Sequence, residues 1–320
     1  TQPIRTFSVG FGDLINELPY AHAIAQRYRT NHHEIQMAIP VGELLERMAE
    51  VYDEPFADSS NIPTYLISEF ARRHVKVVLS GDGGDEVFGG YEWYSWLLAD
   101  DGARPGVAIM ALLRLAMLAW QGLTRVGLPF QTQRDAAIRA YQLKRVSRCY
   151  PDPWERHLAY ATQLRTKQTV SCGNQIRTEA EASIWQAYFP ESNVEALDRA
   201  TDFDLRCYLP GDILVKVDRA TMAHGLESRS PFLDVDLVEF VLGLPWQLRF
   251  GKGKLKGVLR KACADLWPEV VQKRPKQGFG APIWNWVCRP DVQSLLQRVC
   301  APRSPLIELL PEIRRQLPVL

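Results

Sequence analysis

Along the first part of the chain, the apolar positions switch between two periods. Arg5 to Phe11, RTFSVGF, reads as a strand, and Tyr20 to Thr30 places Ala21, Ile24, Ala25 and Tyr28 on one helical face. Glu34 to Ile39 is a second short strand, and Gly42 to Tyr52 and Pro63 to His74 carry helical spacing. Then come Val75, Val77, Val78 and Leu79, a β-branched run that predicts a buried strand of a parallel sheet. Strand, helix, strand, two helices, strand is the order of a doubly wound parallel sheet, an α/β fold. After Tyr91 the pattern changes. Trp93–Leu98, Val107–Leu123, Ala136–Arg148 and Trp154–Thr166 are amphipathic and no further alternating run follows, so the second half is expected to be mainly helical. Pro151 and Pro153 interrupt the chain near its middle, and the proline-bearing tail from Pro302 to Leu320 is expected to pack loosely.

The Val75 strand ends in Ser80-Gly81-Asp82-Gly83-Gly84-Asp85-Glu86. Glycines at 81, 83 and 84 let the backbone turn sharply and approach a ligand closely. Asp82, Asp85 and Glu86 stand at the carboxyl end of the strand, where open α/β sheets bind their ligands. A tight acidic turn before a helix would use the same residues, so the turn alone does not decide between the two.

Composition narrows the function classes. The 320 residues carry a formal charge of +1, with no basic excess to suggest nucleic acid. Lys252, Lys254 and Lys256 lack interleaved aromatics and read as a solvated helix start, with Lys254 placed to approach a phosphate. Cys149, Cys172, Cys207, Cys263, Cys288 and Cys300 form no CxxC pair, which argues against zinc and for free thiols in a reducing compartment. His32, His33 and Glu34 are not in metal-binding spacing. The first residue is Thr1 and no signal peptide follows, so a cytoplasmic protein is expected. Gly106 to Trp120, the most apolar run, is short and broken by Arg114, which fits a core or interface helix better than a membrane span.

Five stretches, in this order, resemble the synthetase domain of glutamine-dependent asparagine synthetases. They are Thr6-Phe7-Ser8-Val9-Gly10-Phe11, then Asp53-Glu54-Pro55-Phe56-Ala57-Asp58-Ser59, then Leu79 through Tyr91. The fourth runs from Tyr208-Leu209-Pro210-Gly211-Asp212 through Lys216-Val217-Asp218-Arg219 to Ser230-Pro231-Phe232-Leu233-Asp234, and the fifth is Arg274-Pro275-Lys276-Gln277-Gly278-Phe279. The resemblance implies an adenine nucleotide α-hydrolase-like fold of the ATP pyrophosphatase type over 1–320. An α/β nucleotide-binding part over 1–99 would be followed by a mainly helical part over 100–320 that completes the site. It also implies a ligase chemistry, in which ATP and Mg²⁺ convert a carboxylate, most simply aspartate, to an acyl-adenylate and pyrophosphate. Ammonia from a glutaminase domain upstream in the same polypeptide then displaces AMP. A sugar acid, a peptide or a β-lactam precursor is an alternative carboxylate, and a degenerate non-catalytic domain is the alternative of another class. No nucleic acid, no membrane span and an open question over a homodimer complete the expected partners.

By the same resemblance, Val9 touches adenine, Ser80, Gly81 and Gly83 lie against nucleotide, and Asp85 serves Mg²⁺. Asp82 positions or deprotonates the attacking nitrogen, Asp218 lines the acceptor pocket, and Lys276 closes on the α-phosphate. Plain roles exist beside each of these: a core valine, a turn, a helix cap at Asp85, a buried Asp218–arginine pair, and a solvated loop lysine. The sequence departs from the family in several places. Asp82 stands where asparagine synthetases usually carry glutamate, and Asp53 to Ser60 contains no arginine of the kind that holds the aspartate α-carboxylate. The Ser-Gly-Gly-x-Asp-Ser pyrophosphate loop and the glutaminase domain are expected upstream of Thr1.

Overall fold

The computed structural model describes residues 2–10, 17–36, 41–54, 56, 58–98, 196–250, 255–274, 279, 281, 286–301 and 304–305, with isolated positions at 108, 111–112, 115–116 and 157. The expected helices at 107–123, 136–148 and 154–166, and most of the tail from Pro302, lie outside those residues. The chain divides into two compact units, one formed by 1–90 with 204–320 and the other by 91–203.

The larger unit mixes helices with parallel strands, so the α/β class holds. Strand β1 (Arg5–Gly10) pairs in parallel with β2 (Asn31–Gln36), with Val9 opposite Ile35. Helix α1 (Leu18–Tyr28) connects them and ends at Arg29 in the left-handed region, φ 52°. Next come α2 (Val41–Tyr52), α3 (Asn61–Arg72) and β3 (Val77–Leu79). The observed bounds lie within a few residues of those the apolar spacing predicts.

Strand β3 corrects two expectations. It pairs in parallel with β4 (Glu227–Arg229), a strand in the half expected to be mainly helical. Glu-Ser-Arg has no apolar period to reveal it, and only the ladder does. Ser80 N donates to Arg229 O (2.9 Å) and Glu227 N to Lys76 O (3.0 Å), extending the pairing at both ends. The apolar run also predicts a buried strand, yet Val77 is 42% and Leu79 74% exposed. Among the described residues β4 is the single strand paired with β3.

The main core is helical. Val41, Leu44, Met48 and Tyr52 of α2 meet Ile62, Tyr65 and Leu66 of α3, and Ala220, Trp286 and Val292 close the cluster. Ala220 belongs to α7 (Leu214–Met222) and Val292 to α10 (Pro290–Val299). Each of the Val, Leu, Ile and Met side chains in this cluster contributes about 1.5–3 kcal/mol when fully buried. A second cluster sets α4 (Gly84–Phe88) against α8 (Val235–Leu242), through Val87, Phe88 and Val241. Helix α7 follows directly on a π-helix, Asp204–Ile213, with Pro210 inside it. Where β1 and β2 meet the end of α3, the His33 ring stacks on His74 (centroids 4.4 Å) and on Phe7 (5.4 Å).

In the smaller unit, α5 (Glu92–Leu98) packs on α6 (Ala196–Phe203). Tyr94 and His157 are buried there, and the His157 ring meets Phe203 edge-on at 5.4 Å. Among the described residues, Cys207, Cys263, Cys288 and Cys300 are free, no helix is long and apolar enough to cross a membrane, and no group of three His, Cys, Asp or Glu could hold a metal.

Candidate active site

The turn after β3 is built by its glycines. The ladder carries through Ser80, whose Oγ lies 3.0 Å from the Ser230 Oγ. Gly84 N then donates to Gly81 O (3.2 Å) and Val87 N to Gly83 O (2.9 Å), starting α4. Gly83 has φ +84°, and a Cβ there would stand 2.2 Å from Leu233 Cδ2, so both backbone and space require glycine. Gly81 is different. It is exposed and a Cβ would meet nothing within 4 Å, so its main chain is open to a ligand. Ser80, Gly81, Asp82, Gly83 and Asp85 are thus brought into one turn. Glu86, just beyond, is buried at 1% exposure.

Asp85 does not stand alone. Its Oδ1 lies 3.0 Å from Lys256 Nζ, with both side chains 26% exposed. Lys256 is the residue before α9 (Gly257–Ala262), held in the left-handed region (φ 57°), with its N–H on Gly89 O at 3.1 Å. Gly90 makes room for the pair, because a Cβ there would fall 1.7 Å from Asp85 Oδ1 and 2.3 Å from Lys256 Cε. The GKGKLKG stretch therefore sends its third lysine to the turn. Sequence spacing cannot reveal this, since the residues are far apart in the chain.

Val9 sits apart from the turn. It lines a cavity of about 300 Å³ with Phe7, Tyr20, Glu17, Arg274 and Phe279, among others, and no turn residue lines it. The Arg274 guanidinium lies over the Tyr20 ring (4.6 Å) and pairs with Glu17. Lys276, two residues on, lies outside the described residues. Asp218 is exposed on α7, so the buried Asp218–arginine pair is not what the helix presents.

The same helix turns Lys216 inward, into a network outside the residues singled out from the sequence. Lys216 Nζ donates to Asp58 Oδ2 (2.8 Å) and Ser60 Oγ (2.8 Å). Ser60 also gives its N–H (2.9 Å) and hydroxyl (2.7 Å) to Asp58, and Tyr52 OH donates to Lys216 O (3.0 Å). Burial pushes the Asp58 carboxyl up, but the Lys216 ammonium and the Ser60 donors outweigh it and hold the group below its usual range. Asp212 goes the other way. Burial and the Asp58 charge push it up to about 6, against the pull of Lys216 and a hydrogen bond from Tyr208. Burial and the neighbouring carboxylates raise Tyr52 and Tyr208 as well. The available signal was the motif itself: Asp58 and Asp212 lie in two of the five quoted stretches.

Mg²⁺ fits this site modestly. A cation carried on nucleotide phosphates needs only one or two protein carboxylates, and Asp85 offers one, provided that Lys256 yields it.

The geometry defines an α/β protein with a candidate site at the carboxyl end of a parallel strand, where an open glycine turn adjoins a carboxylate–lysine pair. Comparison makes this specific. The asparagine synthase family model matches residues 1–312, and the chain belongs to that family. A Mycobacterium bovis protein provisionally named a glutamine-hydrolysing asparagine synthetase is 32% identical over 286 residues, covering 88% of this chain and 42% of that protein. Asparagine synthetase 1 of Bacillus subtilis is 29% identical over 289 residues, 89% of this chain and 43% of that one. Chicken (Gallus gallus) asparagine synthetase is 42% identical over 73 residues, 22% of this chain and 13% of its own. The chain thus spans less than half the length of the first two relatives.

Proposed function

We propose that this chain is the synthetase part of an ATP-dependent amide-forming ligase, acting most simply on aspartate to give asparagine. The carrying observation is the open Ser80–Gly81 main chain at the end of β3, beside the Asp85–Lys256 pair. A nucleotide can lie against bare backbone and a hydroxyl there. A magnesium-bearing phosphate would take the Asp85 carboxylate and leave Lys256 as a second cation for the same anionic group. Val9 and its cavity offer an apolar and aromatic wall for adenine. In this reading both strand pairs belong to one doubly wound sheet, with the 1–99 part holding nucleotide and the 100–320 part completing the site. Asp82 and Asp218 face the acceptor, and Lys276 stabilises charge on the phosphate. Ammonia comes from glutamine hydrolysed elsewhere in the same polypeptide, which works in the cytoplasm.

One observation favours a different carboxylate over aspartate. The stretch 53–60 holds no arginine, and its Asp58 already takes up the buried Lys216. The test is carboxylate-dependent exchange of labelled pyrophosphate into ATP by the full-length protein, run with aspartate and with a panel of other acids. Exchange with aspartate supports the simplest reading, exchange with another acid alone supports the second, and none with any acid rejects the ligase.

A further inference from the structure

We propose that Ser230 is a positioning residue that aims the Ser80 hydroxyl at a bound nucleotide, a role that rests on the ligase reading and extends it to a second strand. Strands β3 and β4 run in parallel to the register pair Leu79 and Arg229, and one step further Ser80 and Ser230 stand side by side at the two carboxyl ends. Adjacent carboxyl ends of parallel strands are where open α/β sheets take their ligands. The Ser80 main chain is tied to β4, its N–H donating to Arg229 O at 2.9 Å, and the Oγ atoms of Ser80 and Ser230 lie 3.0 Å apart. Ser230 opens the 3₁₀ turn Pro231–Leu233, and its carbonyl accepts from Leu233 N at 2.9 Å. Its side chain does not cap that turn, and the hydroxyl meets Ser80 instead.

The residues that follow Ser230 pack against the glycine turn and fix where the serine stands. Leu233 Cδ2 fills the space that a Gly83 Cβ would take, and Phe232 Cδ2 lies 3.1 Å from the place of a Gly84 Cβ. Phe232 also meets Phe88 of α4 edge-on at 5.6 Å, and Phe232 and Leu233 pack on the cluster of Val87, Phe88 and Val241. Apolar contacts thus hold the segment from Ser230 to Leu233 on the turn, whereas nothing stands within 4 Å of a Gly81 Cβ position. A hydroxyl carries one proton and two acceptor lone pairs. In a pair of hydroxyls one proton lies between the oxygens and the other is left over. With Ser230 as the donor, the proton left over is that of Ser80, next to the open Gly81 main chain, and an acceptor atom of the nucleotide can take it. Without Ser230 the Ser80 hydroxyl turns among its rotamers, and fixing it on binding weakens affinity.

The experiment is ATP binding by the full-length protein, followed by calorimetry with Mg²⁺ and no carboxylate, beside pyrophosphate exchange with the carboxylate that supports it. For Ser230→Ala we expect the Kd for ATP to rise about threefold to tenfold, the range of one net hydrogen bond, and the KM for the carboxylate to stay within about twofold. Ser230→Thr returns a hydroxyl and should bring ATP affinity back to within about twofold of the parent. Ser80→Ala should weaken ATP at least as much as Ser230→Ala does. Adding Ser230→Ala to Ser80→Ala should then change nothing further, because the second serine acts through the first. An unchanged Kd in Ser230→Ala, or a further loss of the same size in the Ser80→Ala background, overturns the orienting role. A Ser230→Thr variant as weak as Ser230→Ala, or a carboxylate KM that rises in step with the Kd for ATP, assigns the loss to packing and overturns it as well. A parent protein that binds no ATP rejects the ligase reading itself, and the orienting role falls with it.

Discussion

Two aspartate–lysine pairs in the larger unit have nearly the same geometry and opposite surroundings. Asp58 and Lys216 meet at 2.8 Å with side chains 20% and 9% exposed, whereas Asp85 and Lys256 meet at 3.0 Å with both 26% exposed. The first pair has its charges further satisfied by Ser60 and its helix tied down by Tyr52. The second lies in a space that only the missing side chain of Gly90 leaves open. A buried, fully hydrogen-bonded pair is costly to break because either partner alone is an uncompensated charge. A pair with both partners partly exposed gains less, since water screens and replaces it. The same chemistry thus serves as a fastener between α7 and the start of α3 in one place and as an exchangeable counter-ion beside an open turn in the other.

The largest expected effect breaks the fastener. Lys216→Met should lower stability by about 3–5 kcal/mol, because Asp58 is left charged and enclosed. Lys256→Met should cost about 1 kcal/mol or less. Denaturant unfolding of both variants against the parent measures the gap, and equal losses would erase the distinction between the pairs. Gly90→Ala tests the open pair from its other side. The added methyl would overlap Asp85 Oδ1 and Lys256 Cε, so the pair must part or the backbone shift, at about 1–3 kcal/mol. If Asp85 serves magnesium, the same variant should need more Mg²⁺ for pyrophosphate exchange. An unchanged magnesium titration would detach Asp85 from the metal.

The contrast also shows what the sequence made legible. Helical and strand periods reached most element bounds up to Leu79, because α2 and α3 bury one clean face each in the core. The glycine turn was legible for the same local reason: its residues are consecutive, and Gly83 alone fixes its path. What is set by contact between distant segments was not. Strand β4 carries no apolar alternation and exists through its ladder with β3. Lys256 reaches Asp85 from a run that resembles any basic helix start, and Lys216 turns inward while Asp218, two positions on, turns out. Within the KVDR motif the resemblance points to Asp218, and the buried group is Lys216. The family resemblance names stretches of chain but gives no means of ranking residues inside them.

The smallest effect expected concerns the carboxyl that the fastener disturbs. Asp58 and Asp212 share Lys216, yet the first is held below its usual range and the second is pushed up to about 6. Their contributions to stability therefore run in opposite directions with pH. Asp58 contributes above the unfolded value near 3.8, and that contribution is lost as pH falls through its folded value. Asp212 binds its proton more tightly when folded, so the native state is favoured at low pH and loses that advantage as pH rises from about 3.8 to about 6. Asp212→Asn removes the ionisation while keeping an oxygen that accepts from Tyr208. Because Asp212 is only half-buried, solvent screening limits the effect, and we expect the variant to gain about 1 kcal/mol over the parent above pH 6 and nothing below pH 4. Thermal or denaturant unfolding across that range measures it. A difference that does not change between pH 4 and pH 6 would mean that Asp212 ionises as an ordinary surface carboxylate, and the buried pair would then have no reach beyond its own two residues.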